Sequence, residues 1–213
     1  MIMGRLVKLR PSGDFALVPG WMMAVATAML GLQQYGSQPG LDAAAPLAYP
    51  DHVSVARDVS VPNLIVFVHP HCPCSNATIS ELERLVARLN RRATAKVVFW
   101  HPSETAAEWH KTSLWSRARS ILDIEVIDDA GAVLAKGFGV STSGQALLYD
   151  ADGRLQFQGG ITSARGHAGD NVGSETVLSL VSGFCQTSTQ SCPVYGCSIR
   201  TAGIPLSAAE GKP

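Results

Sequence analysis

The sequence lacks an excess of charge of either sign, because 17 lysines and arginines balance 17 aspartates and glutamates. It also lacks any run of basic residues with aromatic side chains between them, and aromatics make up only 7% of the chain. These absences argue against a nucleic-acid partner. Internal repeats and low-complexity tracts are missing too, so the 213 residues predict one globular domain with appended ends.

An uncharged apolar run occupies residues 15–32 and follows a basic leader, residues 1–14. A bilayer core about 30 Å thick needs about 20 apolar helical residues, and basic residues keep their side of a span in the cytoplasm. The pattern predicts a single-pass transmembrane helix that anchors the chain in the lipid bilayer of the inner (cytoplasmic) membrane. The rest of the chain would then face the periplasm or cell exterior. A signal peptide cleaved after residues 43–45 is the alternative.

The segment after this run, residues 33–62, is rich in Gly, Pro, Ala and Ser without lasting periodicity, which predicts a linker. The globular domain is predicted at residues 63–184. It opens with an apolar strand at residues 64–68, a cysteine loop and an amphipathic helical pattern. A second strand at residues 96–100 completes a parallel strand-helix-strand crossover, which indicates an α/β sheet.

Patterns farther along predict a helix at residues 103–120 and a strand at residues 123–127. An Asp-Gly turn separates two short apolar runs, residues 145–149 and 154–158, which predicts an antiparallel hairpin. A last helix is predicted at residues 174–181, with Ser174 as its cap. A crossover unit, a hairpin and a closing helix then follow one another along the chain.

The cysteine pair lies in residues 69–74, His-Pro-His-Cys-Pro-Cys, between a buried strand and a helix. This position and the downstream residues 138–153 resemble the thioredoxin-like superfamily. The loop, residues 159–171 and a terminal Pro-Val-Tyr-Gly-Cys are similar to the bacterial membrane-anchored redox proteins called RedB. The resemblance implies an α/β thioredoxin-like fold, with a central mixed sheet flanked by helices. It also implies an extracytoplasmic thiol-disulfide oxidoreductase that acts on protein thiols or disulfides and needs no cofactor.

Two features depart from the wider superfamily. The couple is Cys-x-Cys rather than Cys-x-x-Cys, and Gly144 stands where the superfamily has a cis-proline that faces the couple and holds the substrate backbone. A disulfide across one residue has little freedom to reach the usual separation and dihedral angle. We therefore expect such a bridge to be strained and easily reduced.

The catalytic residues are predicted to be Cys72, Cys74 and His71. A helix N-terminus lowers the pKa of a nearby thiol, and a protonated His71 would lower it further. On this hypothesis Cys72 attacks the substrate disulfide and Cys74 resolves the mixed disulfide, although the two roles can be reversed. A purely structural cysteine bridge is a further alternative.

Metal binding is the alternative function for the same loop, because two imidazoles and two thiols fall within residues 69–74. Thiolate and imidazole ligands suit Cu(I) or Zn(II). This hypothesis describes a periplasmic protein that binds or delivers copper, with the metal ligands His69, His71, Cys72 and Cys74.

The predicted C-terminal tail, residues 185–213, holds the remaining cysteines, Cys185, Cys192 and Cys197. An exported chain can oxidise them. We favour a bridge between Cys192 and Cys197 that leaves Cys185 free, although the sequence does not fix the connectivity. A polar loop is a further candidate lining of the redox site, through Arg165, His167, Asp170 and Asn171.

Overall fold

A computed structural model describes residues 14–41, 44–105, 108–183 and 188–199, with only the backbone of residues 14–17. The chain divides into two compact units, residues 1–37 and 38–213. The first contains helix α1 (Asp14–Ser37). Within the described residues, no helix is long and apolar enough to cross a membrane. The predicted transmembrane segment lies within α1, but this helix is not supported as a membrane span. Residues 1–13 of the predicted leader lie outside the described residues.

The second unit is built around one mixed sheet. Its strands are β1 (Asn63–Val68), β2 (Thr94–His101), β3 (Ile124–Ala130), β4 (Gln145–Tyr149), β5 (Leu155–Gly160) and β6 (Gln190–Ser191). Their order in the sheet is β3-β2-β1-β4-β5-β6. Strands β1, β2 and β3 are mutually parallel, β4 is antiparallel to β1 and β5, and β6 is parallel to β5. Its helices are α2 (Pro73–Leu89), α3 (Ser113–Ser120), α4 (Val133–Gly137) and α5 (Val172–Val181).

Strand β1 lies inside the sheet and is buried at every position, which explains its unbroken apolar sequence. Its side chains alternate between the two faces. Leu64 and Val66 belong to one apolar cluster, together with residues of α2 and α5. Ile65 and Phe67 belong to a second cluster on the other face. This is the α/β thioredoxin-like arrangement that the sequence predicts.

Several predicted elements change in length. The helix predicted at residues 103–120 is present only as α3, because Thr112 caps it by accepting the Trp115 N–H at 3.4 Å. Helix α5 begins at Val172 rather than at Ser174, since the side chain of Asn171 accepts the Ser174 N–H at 2.8 Å. Elements α4 and β6 are not predicted, because five and two residues are too few to establish a period.

The predicted linker is wrong from residue 38 onward. Tyr49 is buried and its N–H donates to the Gly153 carbonyl at 2.7 Å, while Ala45 N–H donates to the Gln158 side chain at 2.9 Å. The Tyr49 ring packs edge-on against Phe138, with ring centroids 5.3 Å apart. Scattered apolar residues therefore attach this segment to the domain although it has no helical or strand period.

Candidate functional site

The cysteine loop, residues 69–75, carries the chain from the end of β1 into the first turn of α2. Cys72 is the extended N-cap residue of α2, and Pro73 takes the first helical position, where its missing N–H is no loss. Cys72 is only 3% exposed, whereas Cys74 is half-buried. The predicted nucleophile therefore lies at the N-terminus of α2 and is almost completely buried.

Ser143 connects the loop to the sheet from the other side. Its hydroxyl accepts the His69 N–H at 2.9 Å and lies 2.9 Å from the Ser75 hydroxyl. The next residue, Gly144, donates its N–H to the Phe67 carbonyl at 2.7 Å and has a φ of 92°. The described residues contain no cis peptide bond. The turn beside the cysteines is thus formed by a serine and a glycine in a left-handed conformation.

The C-terminal segment, residues 190–199, lies along this turn. The Ser143 N–H donates to the Cys197 carbonyl at 2.8 Å, and the Ile199 N–H donates to the Ser141 carbonyl at 2.7 Å. These bonds bring the sulfur of Cys197 to 2.6 Å from the sulfur of Cys72. The structure therefore adds a cysteine to the candidate site that the sequence analysis assigns elsewhere.

The structure does not pair Cys192 with Cys197 as predicted, because the sulfur of Cys197 lies beside that of Cys72. Cys192 belongs to the β6 region, where its N–H donates to the Gln158 carbonyl at 3.2 Å. Cys197 instead faces Cys72. Cys185 lies outside the described residues.

Arg165 is the member of the predicted polar loop that reaches the thiols. Its guanidinium donates to the Gly196 carbonyl at 2.8 Å, and its positive charge and hydrogen bond partly offset the rise in the pKa of Cys74 that burial and Cys72 cause. Asn171 and the Gly169 N–H instead bind the buried carboxylate of Glu81. Only part of that loop therefore lines the redox site.

The three neighbouring thiols differ in acidity. Burial raises the pKa of Cys72, but the Cys197 side chain and the nearby N–H groups of Cys197 and the first turn of α2 outweigh it, so the pKa is below its ordinary value. Burial and the neighbouring Cys72 raise the pKa of Cys74. The same two causes raise the pKa of Cys197 to about 12. When the site is reduced, Cys72 is the thiol that ionises first.

The two loop histidines lie against aromatic side chains. The Nε2 atom of His71 is 2.9 Å from the Trp109 carbonyl oxygen, and its ring centroid is 4.3 Å from that of Trp109. The Nδ1 atom of His69 accepts the His71 N–H at 3.1 Å, and its ring packs 4.9 Å from Trp100.

Among the described residues, no group of three or more His, Cys, Asp or Glu side chains is arranged to hold a metal ion. Contacts of His69 and His71 with each other and with Trp109 occupy one ring nitrogen of each. The geometry therefore gives the copper hypothesis no specific support.

Ser143 and Cys197 are the site residues that the sequence analysis does not identify. Ser143 immediately precedes Gly144, the residue predicted at the superfamily's cis-proline position. This is the one local signal in the sequence that indicates Ser143. Cys197 lies 125 positions from Cys72, and no periodicity or spacing connects the two.

Comparison with solved structures shows what the architecture is similar to. An uncharacterized conserved protein from Geobacillus kaustophilus matches with a TM-score of 0.58 and 18% identity, over 78% of this chain and 100% of that one. A hypothetical protein from Sinorhizobium meliloti matches with a TM-score of 0.55 and 20% identity, over 78% and 99%. A secreted Mycobacterium tuberculosis disulfide oxidoreductase reaches a TM-score of 0.41 and 20% identity, over 57% and 81%.

The strand order, the parallel strand-helix-strand crossover and the antiparallel hairpin give the chain a thioredoxin-like fold. No protein-family model matches it, and no curated protein matches its sequence. Similarity at these identities shows the fold and leaves the reaction to be argued from the site.

Proposed function

We propose that this protein is an extracytoplasmic thiol-disulfide oxidoreductase of the RedB type, with Cys72 as its attacking thiol. The observation that carries the proposal is the Cys72 sulfur itself, placed at the N-terminus of α2 with a lowered pKa and a second sulfur 2.6 Å away. A thiolate at a helix N-terminus beside another thiol is the arrangement that disulfide exchange requires.

The exchange proceeds in two balanced steps. The Cys72 thiolate attacks one sulfur of a substrate disulfide, forms a mixed disulfide and releases the other substrate sulfur as a thiolate, which takes up a proton. A second thiol of the protein loses its proton and attacks the Cys72 sulfur, releasing the remaining substrate thiol. The substrate disulfide is reduced by two electrons and the protein dithiol is oxidised; the reverse sequence oxidises a substrate dithiol.

Access to Cys72 is part of this proposal. Because Cys72 is 3% exposed and the C-terminal segment is hydrogen-bonded beside it at Ser143, a protein substrate reaches the sulfur when that segment shifts. An extracytoplasmic location fits a redox couple that must be able to persist as a disulfide. The uncharged run at residues 15–32 and its basic leader are the sequence features that support export.

Reduction of a fluorescent disulfide-linked peptide by the full-length protein tests the proposal. Cys72→Ala should lower the exchange rate by about 100-fold or more, since the attacking thiolate is removed. Cys192→Ala is the matched control, because this thiol lies at β6, and it should retain the wild-type rate. Undiminished exchange in Cys72→Ala would reject the proposed function.

A further inference from the structure

We infer that Cys197 is the redox partner of Cys72, so that the disulfide formed during turnover joins Cys72 to Cys197 rather than to Cys74. This inference rests on the proposed function, because it names the second thiol of the same exchange. The redox couple then consists of one cysteine from the loop and one from the C-terminal segment, instead of two cysteines from the loop.

The sulfur atoms of Cys72 and Cys197 are close enough for a bond to form between them. The sulfurs of Cys72 and Cys197 are 2.6 Å apart, and a disulfide bond is about 2.0 Å long. Closing this bond requires only a small movement of two side chains.

Backbone contacts fix Cys197 in this position without using its thiol. Its carbonyl accepts the Ser143 N–H at 2.8 Å, and Ser198 next to it pairs antiparallel with Thr142. Arg165 donates to the carbonyl of the preceding Gly196 at 2.8 Å. Gly196 itself packs so closely on the Ser143 carbonyl that a Cβ atom would overlap it. These contacts of the residues around the thiol therefore direct it toward Cys72.

The competing bridge, between Cys72 and Cys74, is more constrained. A bond between Cys72 and Cys74 has to close across Pro73, whose ring fixes its φ at about −65°. Cys72 is extended while Cys74 lies in the first turn of α2, so little conformational freedom is left for the two side chains to reach disulfide geometry. Cys197 approaches Cys72 from another part of the chain and imposes no such constraint.

The order of the chemical steps follows from the charges. While Cys72 is a thiolate, it stabilises the protonated thiol of Cys197 and keeps it from attacking. A mixed disulfide at Cys72 removes that negative charge, and Arg165 then favours ionisation of Cys197. The Cys197 thiol loses its proton to solvent, its thiolate attacks the Cys72 sulfur, and the substrate leaves as a thiolate that is protonated. Cys72 and Cys197 are each oxidised by one electron, and the substrate disulfide takes up both.

Disulfide mapping of the full-length protein tests the bond directly. After oxidation with glutathione disulfide and blocking of free thiols, cleavage after Tyr195 and Arg200 separates Cys197 from the other tail cysteines. Mass spectrometry should find residues 196–200 linked to the peptide that holds Cys72 in wild type and in Cys74→Ala. Loss of this link in Cys74→Ala, or a wild-type bridge confined to the Cys72 peptide, would overturn the inference.

Resolution of a mixed disulfide separates this inference from the proposed function. Glutathione disulfide is added to reduced protein, and the adduct at Cys72 is followed by mass spectrometry. The adduct should last at least about ten times longer in Cys197→Ala than in Cys74→Ala, because only the first variant lacks the resolving thiol. A longer-lived adduct in Cys74→Ala would return the role to Cys74 and leave the proposed function intact. Failure of Cys72 to form any adduct would reject the proposed function itself.

Discussion

The cysteine loop and the C-terminal segment both supply cysteines to the candidate site, but different interactions fix their conformations. In the loop, Cys72 lies between β1 and α2, and its position follows from the elements directly before and after it. The C-terminal segment has only the two residues of β6 as regular structure. It is held by hydrogen bonds to Gln158, Ser143 and Ser141, which lie far away in sequence.

The difference shows that sequence spacing alone does not decide which thiols react. Cys192 and Cys197 lie in the same segment, yet only Cys197 meets the cysteine loop, because the hydrogen bonds at Ser143 and Ser141 direct its part of the segment there. Burial raises the pKa of Cys192 with no opposing interaction. One cysteine of the segment therefore belongs to the candidate site and the other to the packing around β6.

The largest effect we expect is the gain in unfolding free energy when the protein is oxidised. A bond between Cys72 and Cys197 joins positions 125 residues apart, and cross-links of long loops typically stabilise a fold by about 2 to 4 kcal/mol. Urea unfolding of oxidised and reduced protein should show this gain in wild type and in Cys192→Ala. Cys197→Ala should show no gain. An equal gain in that variant would show that the stabilising bridge does not involve Cys197.

The second effect tests the packing of the C-terminal segment. Gly196→Ala places a Cβ atom against the Ser143 carbonyl, and overpacking of this kind costs about 1 to 3 kcal/mol of unfolding free energy. The variant should also oxidise more slowly, because its segment no longer presents Cys197 to Cys72. Gly31→Ala is the matched control, since an added Cβ meets nothing within 4 Å there. Equal unfolding free energies for the two variants would show that the close approach at Ser143 does not hold the segment.

The third effect is on the acidity of Cys72. Its lowered pKa means that the reactive thiolate is present at a lower pH than for an ordinary thiol, so iodoacetamide alkylation should have a correspondingly low midpoint. Cys197→Ala removes a hydrogen bond to the thiolate and should raise the midpoint. Cys192→Ala should leave it unchanged. An unchanged midpoint in Cys197→Ala would mean that the loop alone sets the acidity.

The smallest effect concerns the histidines. The sequence predicts that His71→Ala raises the pKa of Cys72 and that His69→Ala does less. Because the His71 ring contacts the Trp109 carbonyl, we expect its substitution to shift the alkylation midpoint less than Cys197→Ala does. A shift in His71→Ala that exceeds the one in Cys197→Ala would restore His71 as the main group that stabilises the thiolate.

Local sequence patterns determined most of the domain. The apolar run of β1, the amphipathic period of α2 and the Asp-Gly turn between β4 and β5 each specify an element through interactions within a few residues. The same local rules placed Cys72 and Cys74 at the start of a helix. These features predicted the α/β fold and the first half of the candidate site.

Tertiary structure alone decided the other half. Residues 38–62 and 190–199 lack a period, so nothing local indicates that the first packs on β5 and that the second lies beside Ser143. The meeting of Cys197 with Cys72 depends on backbone hydrogen bonds to Ser143 and Ser141, and the sheet holds Ser143 at the end of β1. A contact between residues 125 positions apart is a property of the assembled sheet, because no interaction within either segment specifies the other.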